Sequence, residues 1–135
     1  MASVYLYPFQ PTECLELLTF VFFSGTCSFS EASKAFLFSL YNNNGYNPVK
    51  LTQYQNQENA LYHCYNYGPT FGAQNGGTHD IFIEDNSFSY SASYANCGQT
   101  YSVPTGYSAG SCGFFTGGSH FTPTDIEVFY EIVDY

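Results

Sequence analysis

The sequence predicts an all-β fold with little helix, built as an antiparallel sandwich of two sheets. Aromatic residues make up 21% of the 135 residues, with 14 Phe and 14 Tyr, and their rings favour the pleated surface of strands. Short apolar runs alternate with turns rich in Gly, Pro and Asn, and no long helical period is visible. Short strands separated by such turns are typical of sandwiches and barrels.

The first half of the chain contains two clear strand candidates. A short helix is expected to start at Thr12 or Glu13 and to lead into a strand, because Thr12 is a suitable N-cap and an apolar run follows. Residues 35–41 are apolar on both faces, which predicts a central strand. Residues 48–57 are polar, and we expect them to be irregular. Residues 59–65 predict the second strand.

The second half is more strongly marked by turn residues. Residues 68–72, with the sequence Gly-Pro-Thr-Phe-Gly, indicate a tight loop. Residues 80–84 predict a third strand, and residues 87–94 alternate small and aromatic side chains as a half-exposed strand does. Residues 97–112 are expected to be mostly loop. Residues 126–133 predict a closing strand.

The charge distribution excludes one class of partner. Lys34 and Lys50 are the only basic side chains among eleven acidic ones, and the formal net charge is −9. Such a surface repels nucleic acid and anionic membranes, because both are bound through Lys and Arg. The apolar residues 17–23 are also too short to span a bilayer, which needs about 20 residues. We therefore expect no nucleic acid and no membrane insertion, and a protein partner that carries basic residues.

Five cysteines leave at least one without an intramolecular partner. Cys97 and Cys112 are the candidate disulfide, since they would close a loop rich in Gly, Ser and Tyr. A bond across about 15 residues stabilises a fold by roughly 3 kcal/mol in the chain-entropy model. Two reduced thiols on adjacent strands are the alternative, and the sequence leaves both open.

Two neighbouring pairs have residue types suited to catalysis. His79 precedes Asp80, and His63 precedes Cys64. Neighbours on a strand point to opposite faces, so neither pair is expected to interact directly. We predict that His79 and Asp80 support the adjacent Gly-rich loop through hydrogen bonds, and that Cys64 is a half-buried structural thiol.

Metal and cofactor sites are not expected. Asp80, Glu84 and Asp85 have oxygen ligands suited to calcium, but their spacing fits no EF-hand loop, and a solvated acidic edge is the simpler interpretation. The glycines at 68, 72, 76 and 77 lack the Gly-Lys-Ser/Thr ending of a phosphate loop. No Gly-x-Ser-x-Gly elbow is present for a Ser-His-Asp triad.

Several blocks in order resemble the signature of the TLDc domain of oxidation-resistance proteins. They occupy residues 33–40, 59–62, 67–72, 79–83, 115–121 and 125–129. The resemblance implies a two-sheet sandwich with small flanking helices, resistance to oxidative stress, binding to the vacuolar proton pump, a cytoplasmic location and no catalytic centre. The residues that match the family motif, with a structural or interaction role, are Gly68, Pro69, Phe71, Gly72, His79, Asp80 and Glu127.

The resemblance covers residues 30–135 and leaves residues 1–29 as an unmatched segment. The first third of a TLDc domain has no counterpart there, so we expect an N-terminally incomplete sandwich with an open sheet edge. Two other functions are compatible with the residues. One is a secreted, disulfide-bearing domain that binds protein or carbohydrate. The other is a hydrolase or thiol enzyme that uses His79, Asp80 or Cys64.

Overall fold

The structure is a computed structural model in which two antiparallel sheets face each other across one apolar core. It describes residues 2–8, 14–19, 26–41, 47–74, 77–107, 113–116 and 118–130. The two-sheet antiparallel fold predicted from the sequence is confirmed. No helix in these ranges is long and apolar enough to cross a bilayer.

The first sheet has five strands and brings the two ends of the described chain together. In spatial order its strands are β11 (Pro123–Tyr130), β1 (Ala2–Pro8), β2 (Cys14–Thr19), β4 (Phe36–Tyr41) and β5 (Val49–Thr52). β1 pairs with both β11 and β2, so residues of the segment 1–29 are integral to this sheet. β4 lies between β2 and β5, which confirms the predicted central strand.

The second sheet has six short strands. In spatial order they are β10 (His120–Phe121), β9 (Ser93–Ala95), β8 (Ile81–Glu84), β7 (Tyr67–Phe71), β6 (Leu61–His63) and β3 (Ser28–Ser30). A 3-10 turn (Gln57–Asn59) precedes β6, and a helical turn, α1 (Gly113–Thr116), precedes β10.

Strand alternation explains how the core forms. In β8, Ile81 and Ile83 are completely buried on the inner face, whereas Phe82 between them points to the outer face. The core also receives side chains from both sheets and from the loop after β9, among them Leu37, Leu51, Leu61, Phe71, Ala95 and Tyr101. Burial of these apolar side chains is the main stabilisation of the fold.

Two predictions for the middle of the chain are wrong. Residues 68–72 were expected to form a tight loop, but Gly68 and Pro69 lie inside β7. The pairing of β7 with β8 is irregular between Tyr67 and Thr70, and such an irregularity accommodates Pro, which cannot donate to the ladder. Residues 48–57 were expected to be irregular, but Val49–Thr52 forms β5, in which Leu51 is buried.

Two further predictions need correction. The helix expected to start at Thr12 or Glu13 is not formed at Cys14–Thr19, which is strand β2 paired on both sides. The strand expected over residues 87–94 is confined to Ser93–Ala95, and turns occupy the preceding residues. The 97–112 segment is loop where it is described, up to residue 107.

Candidate functional site

Asp80 is a buried carboxylate that organises the loop after β9. Its side chain is fully buried, and its oxygens accept hydrogen bonds from the backbone N–H groups of Gln99 at 2.9 Å, Thr100 at 2.7 Å and Tyr101 at 3.4 Å. Burial raises the pKa of Asp80 to about 6, and the backbone hydrogen bonds oppose this rise. These hydrogen bonds hold the 98–101 loop, and the support that Asp80 is expected to give the Gly-rich loop stays a prediction.

His79 anchors the Gly-rich loop instead. Its Nδ1 lies 2.8 Å from the carbonyl oxygen of Gly72, so Nδ1 carries the proton and donates. Burial lowers the pKa of His79, and the bond to Gly72 acts in the opposite direction. His79 and Asp80 thus hold different segments from neighbouring positions, with no direct contact that would make a catalytic relay.

The pair His63 and Cys64 is not a nucleophile with its base. Cys64 forms a disulfide with Cys27, so the prediction that Cys64 is a half-buried structural thiol is wrong. The sequence did not distinguish this pairing because connectivity cannot be deduced from cysteine positions alone. Cys27 precedes Ser28 and Cys64 follows His63, and Ser28 pairs with His63, so the bond lies where the antiparallel β3–β6 ladder would continue. A thiol enzyme that uses Cys64 is inconsistent with this bond.

A serine–histidine contact that the sequence did not reveal lies beside this disulfide. Ser30 Oγ is 2.7 Å from His63 Nε2. Within the described part of the chain, the buried Nδ1 of His63 has no hydrogen-bond partner, whereas a catalytic histidine needs an acid or carbonyl there to orient it. Burial lowers the pKa of His63. The contact between Ser30 and His63 therefore links β3 to β6.

The acidic residues that the structure describes do not assemble into a metal centre. Among the described residues, no group of three His, Cys, Asp or Glu side chains could hold a metal ion. Asp80 is committed to backbone N–H groups, and Asp85 is exposed on the turn after β8.

Among the described residues, the feature best suited to binding is a row of side chains across the six-stranded sheet. Cross-strand partners share a face of a sheet, and the partners of β8 on its inner face, Phe71 and Ala95, are buried in the core. Phe82 therefore belongs to the outer face. The cross-strand row that contains Phe82 runs from β3 to β10 and consists of Phe29, Tyr62, Thr70, Phe82, Tyr94 and His120.

Tyr67 and His79 complete this row into a continuous aromatic face. Where Thr70 interrupts the rings, Tyr67 bridges the gap, with its ring centroid 5.5 Å from that of Tyr62 and 4.7 Å from that of Phe82. The His79 ring lies 5.1 Å from that of Tyr62. These separations are those of favourable aromatic pairs. We call the set Phe29, Tyr62, Tyr67, His79, Phe82 and Tyr94 the aromatic face.

The aromatic face forms a concave, solvent-accessible surface. Its six residues and Gly77 line a cavity of about 380 Å³, and Phe29, Tyr62, Tyr67 and Tyr94 remain partly exposed. A second cavity of about 320 Å³ adjoins it at Tyr94 and continues to His120. Neither lysine lines these two cavities.

Comparison with known protein families decides the identity of this fold. The model of the TLDc domain matches residues 22–131, most of the chain. The chain belongs to the TLDc domain family. TLDc domains are generally non-catalytic. No curated protein and no solved structure gives a match to the chain. The family match begins before the expected boundary at residue 30, and that division of the chain stays a prediction.

Six of the seven residues that were predicted to match the family motif lie together around β7 and the start of β8. Phe71 is completely buried, and Gly68 packs so closely that an added Cβ would lie 3.0 Å from the Ile83 carbonyl oxygen. Gly72 adopts a φ of +66°, and a Cβ there would lie 1.8 Å from Asp80 Oδ2. Glycine is therefore required at position 72 by conformation and by space.

The remaining predicted site residues are only partly described. Glu127 lies on β11 in the other sheet, opposite Tyr5, and its side chain is outside the described residues. Cys97 is buried and disulfide-bonded. Cys112 lies outside the described residues, so the Cys97–Cys112 pairing stays a prediction. The roles assigned to the motif residues also stay predictions.

Proposed function

We propose that this TLDc domain is a non-catalytic protein-interaction module whose partner docks on the aromatic face. The observation that carries the proposal is the row of aromatic side chains across the six-stranded sheet. Tyr and Phe are enriched at protein interfaces because they bury a large area at little cost in side-chain entropy. A partly exposed, concave cluster of such rings has the shape and composition of a docking surface.

The charge of the domain favours a basic partner. The formal net charge is −9, and Glu84 follows Phe82 on the same outer face, opposite Tyr67. Exposed aromatic side chains, Tyr65 and Tyr90 among them, lie on the two turns at that end of the sheet. A basic surface would meet carboxylates there and cations would stack on the rings.

Membership of the TLDc family supports a more specific proposal. We infer that the partner is a subunit of the vacuolar proton pump and that binding serves resistance to oxidative stress. The test is a binding measurement with purified pump subunits at low and high salt. Binding is expected to weaken as salt rises, because electrostatic attraction between the partners is screened.

Variants of the aromatic face locate the interface. Tyr62→Ser combined with Tyr94→Ser is expected to weaken binding at least tenfold. Tyr54→Ser is the matched control, since Tyr54 is 53% exposed and lies outside the aromatic face. Glu127→Lys tests the alternative route through the C-terminal strand β11. If only Glu127→Lys weakens binding, the aromatic face is not the interface. If another TLDc domain captures pump subunits and this chain captures none, the partner assignment fails.

A secreted, disulfide-bearing binding domain is the second candidate. The observation that favours it is the bond between Cys27 and Cys64, together with the bonded state of Cys97, because structural disulfides persist in oxidising compartments. Alkylation of the native protein followed by mass spectrometry distinguishes the two candidates. Intact disulfides in protein isolated from its own cells favour secretion, and five alkylated thiols favour the cytosol.

A further inference from the structure

Both basic side chains of the protein line the same cavity. Lys34 lies in the turn before β4 and Lys50 lies on β5, and together they border a cavity of about 380 Å³. Ser33 and Thr52 also line this cavity. The cavity belongs to the edge of the five-stranded sheet, on a different sheet from the aromatic face. In a chain with eleven acidic residues and two lysines, a cavity lined by both lysines has a local charge opposite to the net charge of the protein.

The turn that carries Lys34 is fixed relative to the strand that carries Lys50. Gln53 Nε2 donates to the carbonyl oxygen of Ala32 at 2.6 Å and to that of Ala35 at 3.0 Å. Gln53 follows directly after β5, so these bonds tie the turn to the end of that strand. The backbone positions of the two lysines are therefore set before any ligand arrives, which reduces the ordering cost of binding.

The two ammonium groups are available to a ligand. Lys50 Nζ lies 3.7 Å from the centroid of the Phe36 ring, and this contact holds the amino group over the outer face of the sheet. Neither lysine forms an ion pair with a carboxylate in the described part of the chain, and both side chains are exposed. The acids nearest in sequence, Glu31 and Glu58, are also exposed and unpaired with them.

We propose that this cavity binds a small molecule through a doubly charged phosphate monoester group. Two ammonium groups match the charge of about −1.5 to −2 that such a group carries at pH 7, and lysine binds phosphate as a compact point charge. The cavity volume is in the range of small-molecule sites. Long polyanions and anionic membranes do not fit this site, because they would extend over the acidic surface around it.

Inorganic phosphate is the probe for this site. The full chain is titrated with phosphate at about 0.15 M ionic strength, where charges more than about 8 Å away are largely screened. We expect saturable binding with a Kd at or below about 1 mM by calorimetry or by amide chemical shifts around Lys34 and Lys50. Lys34→Gln and Lys50→Gln are each expected to raise the Kd at least tenfold. Acetate, a monoanion, is expected to give no saturable response.

Charge-matched variants separate a local site from the overall field. Lys34→Gln/Asp85→Asn keeps the net charge of the protein, because Asp85 is exposed on the other sheet, and it is expected to lose binding as Lys34→Gln does. Asp85→Asn alone should bind phosphate like the wild type. Equal affinity in a Lys34→Gln/Lys50→Gln double variant with an unchanged circular dichroism spectrum would overturn the proposal. The proposal would also be overturned if the protein sediments with vesicles that contain phosphatidic acid but shows no response to free phosphate.

Discussion

Thr100 donates its backbone N–H to Asp80 Oδ2 at 2.7 Å, which joins the start of β8 to a loop 20 residues further along the chain. The Thr100 hydroxyl group donates to the Ala73 carbonyl oxygen at 3.3 Å, and its oxygen accepts a hydrogen bond from the Ala73 N–H at 3.2 Å. Asp80, Thr100 and Ala73 therefore connect three segments that are separated in the sequence.

Removal of the Asp80 carboxylate should destabilise the fold. Asp80→Ala leaves the buried N–H group of Thr100 and the partly buried N–H group of Gln99 without an acceptor, and loss of the acceptor of a buried donor costs about 1–3 kcal/mol. The measurement is the free energy of unfolding in urea at pH 7. Asp85→Ala, at an exposed neighbouring position, is the control and should change it by less than about 0.5 kcal/mol. An unchanged free energy for Asp80→Ala would show that the loop is held by other contacts.

The raised pKa of Asp80 predicts a pH dependence of a definite sign. The folded protein holds this proton up to about pH 6, whereas the unfolded chain releases it near 3.8. Between these values the folded state binds more protons, so the stabilising contribution is complete below pH 3.8 and is lost as the pH rises towards 6. Asp80→Asn should remove this component from a plot of unfolding free energy against pH.

The buried histidines predict the opposite dependence. Burial lowers the pKa of His79 and His63 in the folded state, so the unfolded chain binds protons first as the pH falls below about 6.5. Stability should therefore decrease on acidification through this region. His79→Gln should reduce that decrease while Asp80→Asn leaves it in place. If both variants change the same part of the profile, the two groups titrate as one unit.

Glycine 72 should be much less tolerant of a side chain than glycine 106. Both have positive φ, +66° and +89°, but a Cβ at Gly72 would overlap Asp80, and one at Gly106 would meet no atom within 4 Å. Gly106→Ala should cost only the conformational strain of about 1–2 kcal/mol. Gly72→Ala also displaces the Asp80 side chain, and we expect this to lower the free energy of unfolding by a further amount of about 1–3 kcal/mol. Equal urea midpoints for the two variants would contradict the close packing.

The disulfide between Cys27 and Cys64 should contribute measurably to stability. It spans 37 residues, and a native bond of this kind stabilises a small domain by roughly 2–4 kcal/mol. The variant Cys27→Ser/Cys64→Ser is compared with the wild type by urea unfolding without reductant. The same midpoint for both proteins would indicate that the two sulfurs are not bonded in solution.

The sequence predicts the fold well where the hydrophobic pattern acts alone. The run Ile81-Phe82-Ile83 identifies β8 because two flanking Ile side chains enter the core. Strand β7 was not predicted because Gly68 and Pro69 favour a turn in isolation, whereas in the fold β7 pairs with β6 and, across an irregular register, with β8. Local preference was overridden there by tertiary contacts.

The candidate site was harder to predict because its parts are separated in sequence. Tyr62, Phe82 and Tyr94 each occupy an outward position on a short strand, but their alignment depends on a register that one sequence does not specify. The partner of Asp80 in the 98–101 loop is likewise a long-range contact. His79 could be assigned a structural role because alternation on a strand argues against pairing with Asp80.

Strand β3 is only three residues long and forms the outermost edge of the six-stranded sheet. Beside its pairing with β6, it is held by the Cys27–Cys64 bond and the contact of Ser30 with His63. Short edge strands discourage edge-to-edge association of copies, provided that they stay in place. Under reducing conditions the Cys27–Cys64 bond is broken. Release of β3 would then expose the backbone of β6, with which a strand of another chain could pair. Handling of this protein in reductant should therefore promote aggregation through that edge, and oxidising conditions should keep it dispersed.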